Sequence, residues 1–175
     1  QPDILVLRAE HELGATLRRK IAAFCNVSPE AVVQSLDMPT IYEVPLRMQE
    51  QGLDATILRK LDMPVGETPG LGPWRSFLDR RHKATEIINI GLVGKYDLQD
   101  AYKSILEALS QAGTYNDRKV KCHFINSEKI TKENVADMLK GMDGYVICPG
   151  FGQRGIEGKI IATQYCRENN KPTFG

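Results

Sequence analysis

The sequence contains no apolar run approaching the roughly 18 residues that a membrane-spanning helix needs, and no basic, apolar, small-residue leader opens it. A soluble, cytoplasmic protein with no membrane partner is the expectation. Charge of one sign is not in excess: 23 Lys+Arg stand against 22 Asp+Glu, a net charge of +1. The signs are spread evenly, with 11 of each in residues 1–85, which excludes a basic domain or tail built for nucleic acid. Four cysteines, Cys25, Cys122, Cys148 and Cys166, stand far apart without CxxC, CxxH or HxxxH spacing. That pattern argues against a zinc site and a dense disulfide framework, and reduced thiols are expected. The phosphate-cradling GxxxxGK[ST] loop, internal repeats and low-complexity tracts are also missing.

What is present suffices for a core: 42% of the 175 residues are hydrophobic and 26% charged, a balance unlike that of disordered chains. The length corresponds to about one to one and a half ordinary domains. The first residues, Gln1-Pro2-Asp3, run without a Met straight into the strand-like Ile4-Leu5-Val6-Leu7, and Lys171-Pro172-Thr173-Phe174-Gly175 reads as a turn entering a strand. An excerpt of a longer polypeptide is therefore expected.

Residues 86–175 carry the clearer periodicity. Ile87-Ile88-Asn89-Ile90-Gly91-Leu92-Val93 suits a parallel strand buried on both faces. Tyr102, Ile105, Leu106 and Leu109 then form one helical stripe, closed by Gly113. Val120, Cys122 and Phe124 alternate as in a strand, with His123 among them. Val135, Met138, Leu139 and Met142 make a second helical stripe, with Thr131 placed to cap it. Tyr145-Val146-Ile147-Cys148 is another buried-type strand, and Ile160, Ile161 and Tyr165 mark a third helix. Strand and helix alternate three times, which predicts a doubly wound α/β domain around a parallel sheet. In the first part, residues 4–7 and 31–36 read as strands, and 16–24, 47–51 and 54–61 as helices. Residues 63–73 hold three Pro and three Gly, so a boundary is expected near them, followed by a short linker helix over 74–82. The expected division is 1–62, a linker over 63–85, and 86–175.

The sharpest local feature is Cys148-Pro149-Gly150-Phe151-Gly152-Gln153-Arg154-Gly155, a glycine-rich turn between strand and helix. It satisfies GxGxxG, but after the third strand of its domain, whereas the dinucleotide fingerprint sits at the first. A tight loop without a ligand is one alternative. The other is acyl-transfer chemistry: glycines at the C-terminal edge of a parallel strand let backbone N–H groups converge on one spot and hold an oxyanion. Pro149 removes one donor there and stiffens the turn.

These residues carry a resemblance. Ile90-Gly91-Leu92-Val93-Gly94-Lys95-Tyr96, Asp100-Ala101-Tyr102-Lys103-Ser104 and Glu107-Ala108-Leu109 resemble the opening of the glutaminase domain of the CTP synthase family. Pro149 to Gly158 is similar to that family's oxyanion and lid segment, although the family commonly has Pro-Gly-Gly-Phe-Gly, one glycine more. Arg19-Lys20-Ile21-Ala22, Phe24-Cys25-Asn26-Val27, Ile41-Tyr42-Glu43-Val44-Pro45 and Gln51-Gly52-Leu53-Asp54 resemble the end of its synthetase domain. The resemblance covers nearly the whole chain in order, apart from residues 64–85.

It implies the C-terminal part of a P-loop-type synthetase domain, a linker and the front of a class I glutamine amidotransferase domain. The implied activity is CTP synthesis: ATP phosphorylates the uracil O4 of UTP, and ammonia from glutamine displaces the phosphate. By position, Lys20 matches the lysine that binds UTP or CTP, and Leu36, Asp37 and Met38 match the segment on the ATP adenine. Gly150 and Phe151 fall at the glutamine pocket, while Arg154, Gly155 and Glu157, with Lys103, fall on the lid that responds to GTP, the activator. ATP with Mg²⁺ and a homotetramer are also implied, with the metal ligands and the nucleophile expected outside this stretch. Read without the resemblance, Lys20 is a solvated helix lysine, Asp37-Met38-Pro39 is a turn, and the lid charges are surface residues. Cys148 and Cys166 read as small core hydrophobes. A regulatory or scaffolding module that retains nucleotide surfaces without catalysis is the alternative. A different glutamine amidotransferase is a further one, disfavoured by the match over 18–54.

Overall fold

The computed structural model describes residues 1–96 and 99–175, with Gln99 as backbone only. They divide into two units, Gln1–Leu78 and Asp79–Gly175.

In the first unit, strand β1 (Leu5–Ala9) pairs in parallel with β2 (Val32–Leu36), from Leu5↔Val32 to Ala9↔Leu36. A parallel pair needs a crossover, and helix α1 (Ala15–Cys25) lies within it. It stops where Asn26 adopts φ 53° and turns its N–H onto the Ala22 and Ala23 carbonyls, the left-handed cap that Asn tolerates. Val32 and Val33 are buried. The backbone of Gln34 is completed by a side chain: its N–H donates to Gln51 Oε1 at 2.8 Å, and Gln51 Nε2 donates to its carbonyl at 2.7 Å. Gln51 thus stands in for a neighbouring strand beside β2. Helices α2 (Val44–Glu50) and α3 (Leu53–Lys60) follow, separated at Gly52, where φ is +71°.

Helix α4 (Gly72–Lys83) starts earlier than the expected linker helix and takes in Gly72 and Pro73. A first-turn proline breaks no helical hydrogen bond, so the Gly/Pro rule over 63–73 does not reach its last two residues. Trp74 and Phe77 pack on Tyr42, ring centroids 5.4–5.8 Å apart, and Trp74 Nε1 donates to the Tyr42 carbonyl at 2.7 Å.

The second unit is a four-stranded parallel sheet in the order β4-β3-β5-β6, built from β3 (Ile87–Gly94), β4 (Lys119–Asn126), β5 (Gly144–Ile147) and β6 (Thr173–Phe174). Helices α5 (Lys103–Tyr115), α6 (Val135–Met138) and α7 (Ile156–Glu168) lie between the strands in sequence. Successive strand residues face opposite sides: Val93 joins a cluster with Ile125, Leu139, Tyr145 and Ala162, while Leu92 joins one with Tyr102 and Cys148. That two-sided burial is the doubly wound α/β fold expected from the sequence. β4 runs beside the full length of β3, from Ile87↔Lys119 to Gly94↔Asn126. β5 meets β3 only from Ile90↔Gly144 to Val93↔Ile147, and β6 meets β5 only at Tyr145↔Thr173 and Val146↔Phe174.

One helical expectation is corrected. The second stripe forms four helical residues instead of two turns or more, and Thr131 does not cap it: its N–H donates to Asn134 Oδ1 at 2.8 Å, and its carbonyl accepts from Val135. The third helix forms as α7, where Ile161 and Tyr165 pack against the core beside the buried Ala162 and Cys166, while Ile160 is exposed. Val135 and Leu139 are nonetheless buried as the stripe requires.

Candidate functional site

In an open parallel sheet, ligands bind beyond the carboxyl ends of the strands, where the order reverses. Here β3 connects to β4 on one side and β5 lies on the other, so the reversal falls between β3 and β5. Residues 95–96, 127–128 and 148–155 follow the ends of β3, β4 and β5 at that edge. The glycine-rich turn therefore occupies the position that the sheet topology favours for a ligand.

Small residues at this edge are required by close approaches. A Cβ on Gly94 would come within 2.8 Å of Tyr102 Cζ, and one on Gly150 within 2.8 Å of Lys95 Cε. Gly152 and Gly155 adopt φ +82° and +76°, values that favour glycine. Gly155 caps the start of α7, its Cα side facing Ser127 Oγ and Lys95 Cβ.

Three cations organise the turn. Lys95 is 5% exposed; its ammonium donates to the Phe151 carbonyl and lies 5.3 Å from the Tyr96 ring centroid. Lys159 Nζ donates to the Cys148 carbonyl at 2.7 Å. Arg154 Nη1 pairs with Glu128 Oε2 at 2.7 Å and donates to the Lys95 carbonyl at 3.3 Å, its guanidinium 5.6 Å from the same Tyr96 ring. The Tyr102 hydroxyl is buried and, among the described residues, has no hydrogen-bond partner. Burial pushes its pKa up, an effect eased by the nearby Tyr96 and Lys95 backbone.

Gly150 and Phe151 sit at this edge, and the Phe151 ring is 98% exposed at the tip of the turn. Arg154, Gly155 and Glu157 gather at the start of α7. Lys103 opens α5 and pairs with Glu107 at 2.8 Å. Cys148 is buried, and that burial, only partly offset by Lys159, pushes its thiol up to about 11. Burial raises the Cys166 thiol as well. Thiols held neutral at pH 7 are poor nucleophiles, in keeping with their reading as core residues. His123 lies in β4, its Nε2 3.0 Å from Asn89 Oδ1.

In the first unit, Lys20 is exposed on α1. Arg18, two residues before it, is tied to the strand pair, its Nη2 donating to the Val32 carbonyl at 2.9 Å. Leu36 ends β2; Asp37 is exposed, paired with Arg8, and its N–H donates to the Ala9 carbonyl at 3.2 Å. Met38 follows, half-buried. Leu36 also lines a polar recess of about 180 Å³ with Arg18, Gln34, Arg47 and Gln51. Among the described residues no three His, Cys, Asp or Glu side chains converge to hold a metal, and no helix is long and apolar enough to cross a membrane.

The roles of Lys159, Ser127 and Glu128 were not visible in the sequence. Lys95 lies in a motif string but is not marked as buried by any periodicity, because its burial comes from the loop after β5, more than fifty residues away.

Sequence comparison accords with this arrangement. Residues 1–63 match the family described as CTP synthase N-terminus, and residues 97–175 match glutamine amidotransferase class-I. The chain is 71% identical over its whole length to CTP synthase of Bacteroides thetaiotaomicron, 65% to that of Bacteroides fragilis and 57% to that of Porphyromonas gingivalis, covering 33% of each. It thus spans about a third of the length of these relatives. With both family matches in order and identity sustained from end to end, the chain belongs to the CTP synthase family.

Proposed function

We propose that the chain supplies parts of two sites of a CTP-forming enzyme. In the second unit, the turn at the β3/β5 edge receives glutamine: its backbone N–H groups face the amide carbonyl oxygen as negative charge develops there, and Phe151 covers the substrate's methylenes. In the first unit, Lys20 meets the triphosphate of UTP, or of CTP as inhibitor, as a point charge. Leu36, Asp37 and Met38 border the adenine of ATP beside the polar recess. ATP transfers its γ-phosphoryl group to the uracil O4, and ammonia released from glutamine attacks C4 and expels phosphate. Residues outside this stretch supply the nucleophile and the Mg²⁺ ligands. Arg154, Gly155, Glu157 and Lys103 belong to the response to GTP, in a homotetrameric enzyme. The observation that carries this reading is the glycine-rich turn at the point where strand order reverses, pinned by two lysines.

Phe151→Ala in the complete enzyme tests it. The ring is 98% exposed, so its loss removes no packing within the unit. Burying such a side chain against a ligand contributes about 1.5–3 kcal/mol; partial cover corresponds to a rise in the glutamine KM of roughly tenfold. Ammonia-dependent synthesis should stay at the wild-type rate. An unchanged glutamine KM would refute the assignment of the turn.

Arg154→Ala should lower the stimulation of glutamine-dependent synthesis by GTP and leave ammonia-dependent synthesis nearly intact. The Arg154–Glu128 pair is solvent-exposed, so its loss should cost less than about 1 kcal/mol in stability. Equal losses by both routes would assign Arg154 to folding.

A further inference from the structure

The first observation is an ammonium in an unusual place. Lys95 is 5% exposed, and among the described residues its only hydrogen-bond acceptor is the Phe151 carbonyl. No carboxylate pairs with it there, and the remaining contact is the face of Tyr96. A buried cation with one neutral acceptor is a cost to folding, because lost hydration is not returned by an opposite charge. The architecture accommodates it all the same: Gly150 must lack a side chain, since a Cβ there would lie 2.8 Å from Lys95 Cε and 3.6 Å from Nζ.

The second observation concerns what that contact fixes. A trans peptide is planar, with its C=O and N–H pointing in opposite directions. Drawing the Phe151 carbonyl toward a buried ammonium turns the N–H of the same peptide, on Gly152, the other way. Gly152, at φ +82° with open space around it, offers no steric resistance to rotation of this peptide. Pro149 has no N–H, and Lys159 holds the Cys148 carbonyl at the start of the turn. The direction of the Phe151–Gly152 peptide is therefore set by Lys95, with Lys159 fixing the start of the turn.

We infer that Lys95 is a positioning residue for glutamine hydrolysis: by holding the Phe151 carbonyl inward it keeps the turn's amides, that of Gly152 included, presented to the substrate oxygen. The inference rests on the glutamine reading of the turn given above. Lys95 acts through the backbone and touches no substrate, so its removal should affect the charge-bearing transition state more than ground-state binding.

The test uses the complete enzyme with Lys95→Met, which keeps an unbranched stem and removes the ammonium. Glutamine-dependent kcat should fall roughly 100-fold, the scale of a displaced donor, with the glutamine KM within about threefold of wild type. Ammonia-dependent synthesis should be unchanged and the melting temperature equal to or above that of wild type. A wild-type kcat, a loss confined to KM, or an equal loss by the ammonia route would each overturn the inference. If Lys95→Met does not fold, Lys95→Leu, which also removes the ammonium at the same position, must show the same loss in kcat; a wild-type kcat there overturns it equally. Phe151→Ala, run in parallel, separates the two levels. A raised KM in Phe151→Ala with a silent Lys95→Met removes only the positioning role, whereas silence in both removes the glutamine site as well.

Discussion

Gly158→Ala is expected to destabilise the second unit by about 3 kcal/mol, the upper end of what overpacking costs. Gly158 is buried in the first turns of α7, and a Cβ there would overlap the carbonyl oxygen of Ser127 and stand 3.2 Å from Ile130 Cβ. The obstacle is backbone, so no side-chain rotation relieves it. Ser127 cannot retreat easily either: it opens a 3-10 turn, Ser127–Lys129, whose start is capped by Asn126 Oδ1 accepting from the Glu128 N–H at 2.9 Å. Alanine's better helix propensity returns only about 1 kcal/mol. For a chain of this size about 3 kcal/mol corresponds to a fall of roughly 6–12 °C in melting temperature. Gly66→Ala, in open space, is the control and should shift the midpoint by no more than about 0.5 kcal/mol. Equal midpoints for the two variants would mean that α7 does not press on the Ser127 turn. The same contact sets where Arg154, Gly155 and Lys159 stand, so glutamine-dependent activity should fall along with stability.

Lys20→Ala in the complete enzyme should weaken UTP by one to two orders of magnitude. A charge-assisted hydrogen bond contributes about 1.5–3 kcal/mol, and 1.4 kcal/mol is tenfold in affinity. The side chain is exposed on α1, so truncation leaves the core of the first unit untouched and the effect reads the ligand alone. Arg18 cannot easily substitute, because its guanidinium is committed to the Val32 carbonyl. CTP inhibition should weaken in parallel, since both nucleotides present the same triphosphate. ATP affinity should move far less, because the adenine is proposed to lie at Leu36, Asp37 and Met38 and not at Lys20. Titration of all three nucleotides decides the matter: unchanged UTP and CTP binding would make Lys20 an ordinary solvated lysine.

Elements whose residues repeat with a period were legible in the sequence. The apolar run of β3 and the stripe of α5 announced their partners because burial on a sheet face or helix face leaves a regular mark, and Leu92, Val93 and Tyr102 are buried as that mark implies. The glycine turn was legible as a candidate site for a different reason, the need for bare backbone at a strand end. Contacts between distant loops leave no such mark. Nothing near Lys95 in sequence foretells the Phe151 carbonyl, and nothing near Gly158 foretells Ser127. The short α6 shows the opposite failure: Val135, Met138, Leu139 and Met142 keep helical spacing, yet Leu139 is already past the last helical residue. Spacing records which side chains face the core, and a turn of backbone can present them as well as a helix can.

The pairing pattern of the second sheet has a consequence for how it tolerates change. Its strands begin at staggered levels, β5 opposite Ile90 and not Ile87, but β3, β4 and β5 finish nearly level, at Gly94, Asn126 and Ile147. An extra residue before Ile87 or Gly144 lengthens a loop at the ragged end and leaves every pairing beyond it in place. An extra residue within β5 shifts Cys148 and the turn relative to Gly94 and reverses which side chains face the two clusters. Length variation is thus confined by geometry to one end of the sheet, and the other end behaves as a fixed datum against which the glycine-rich turn is set.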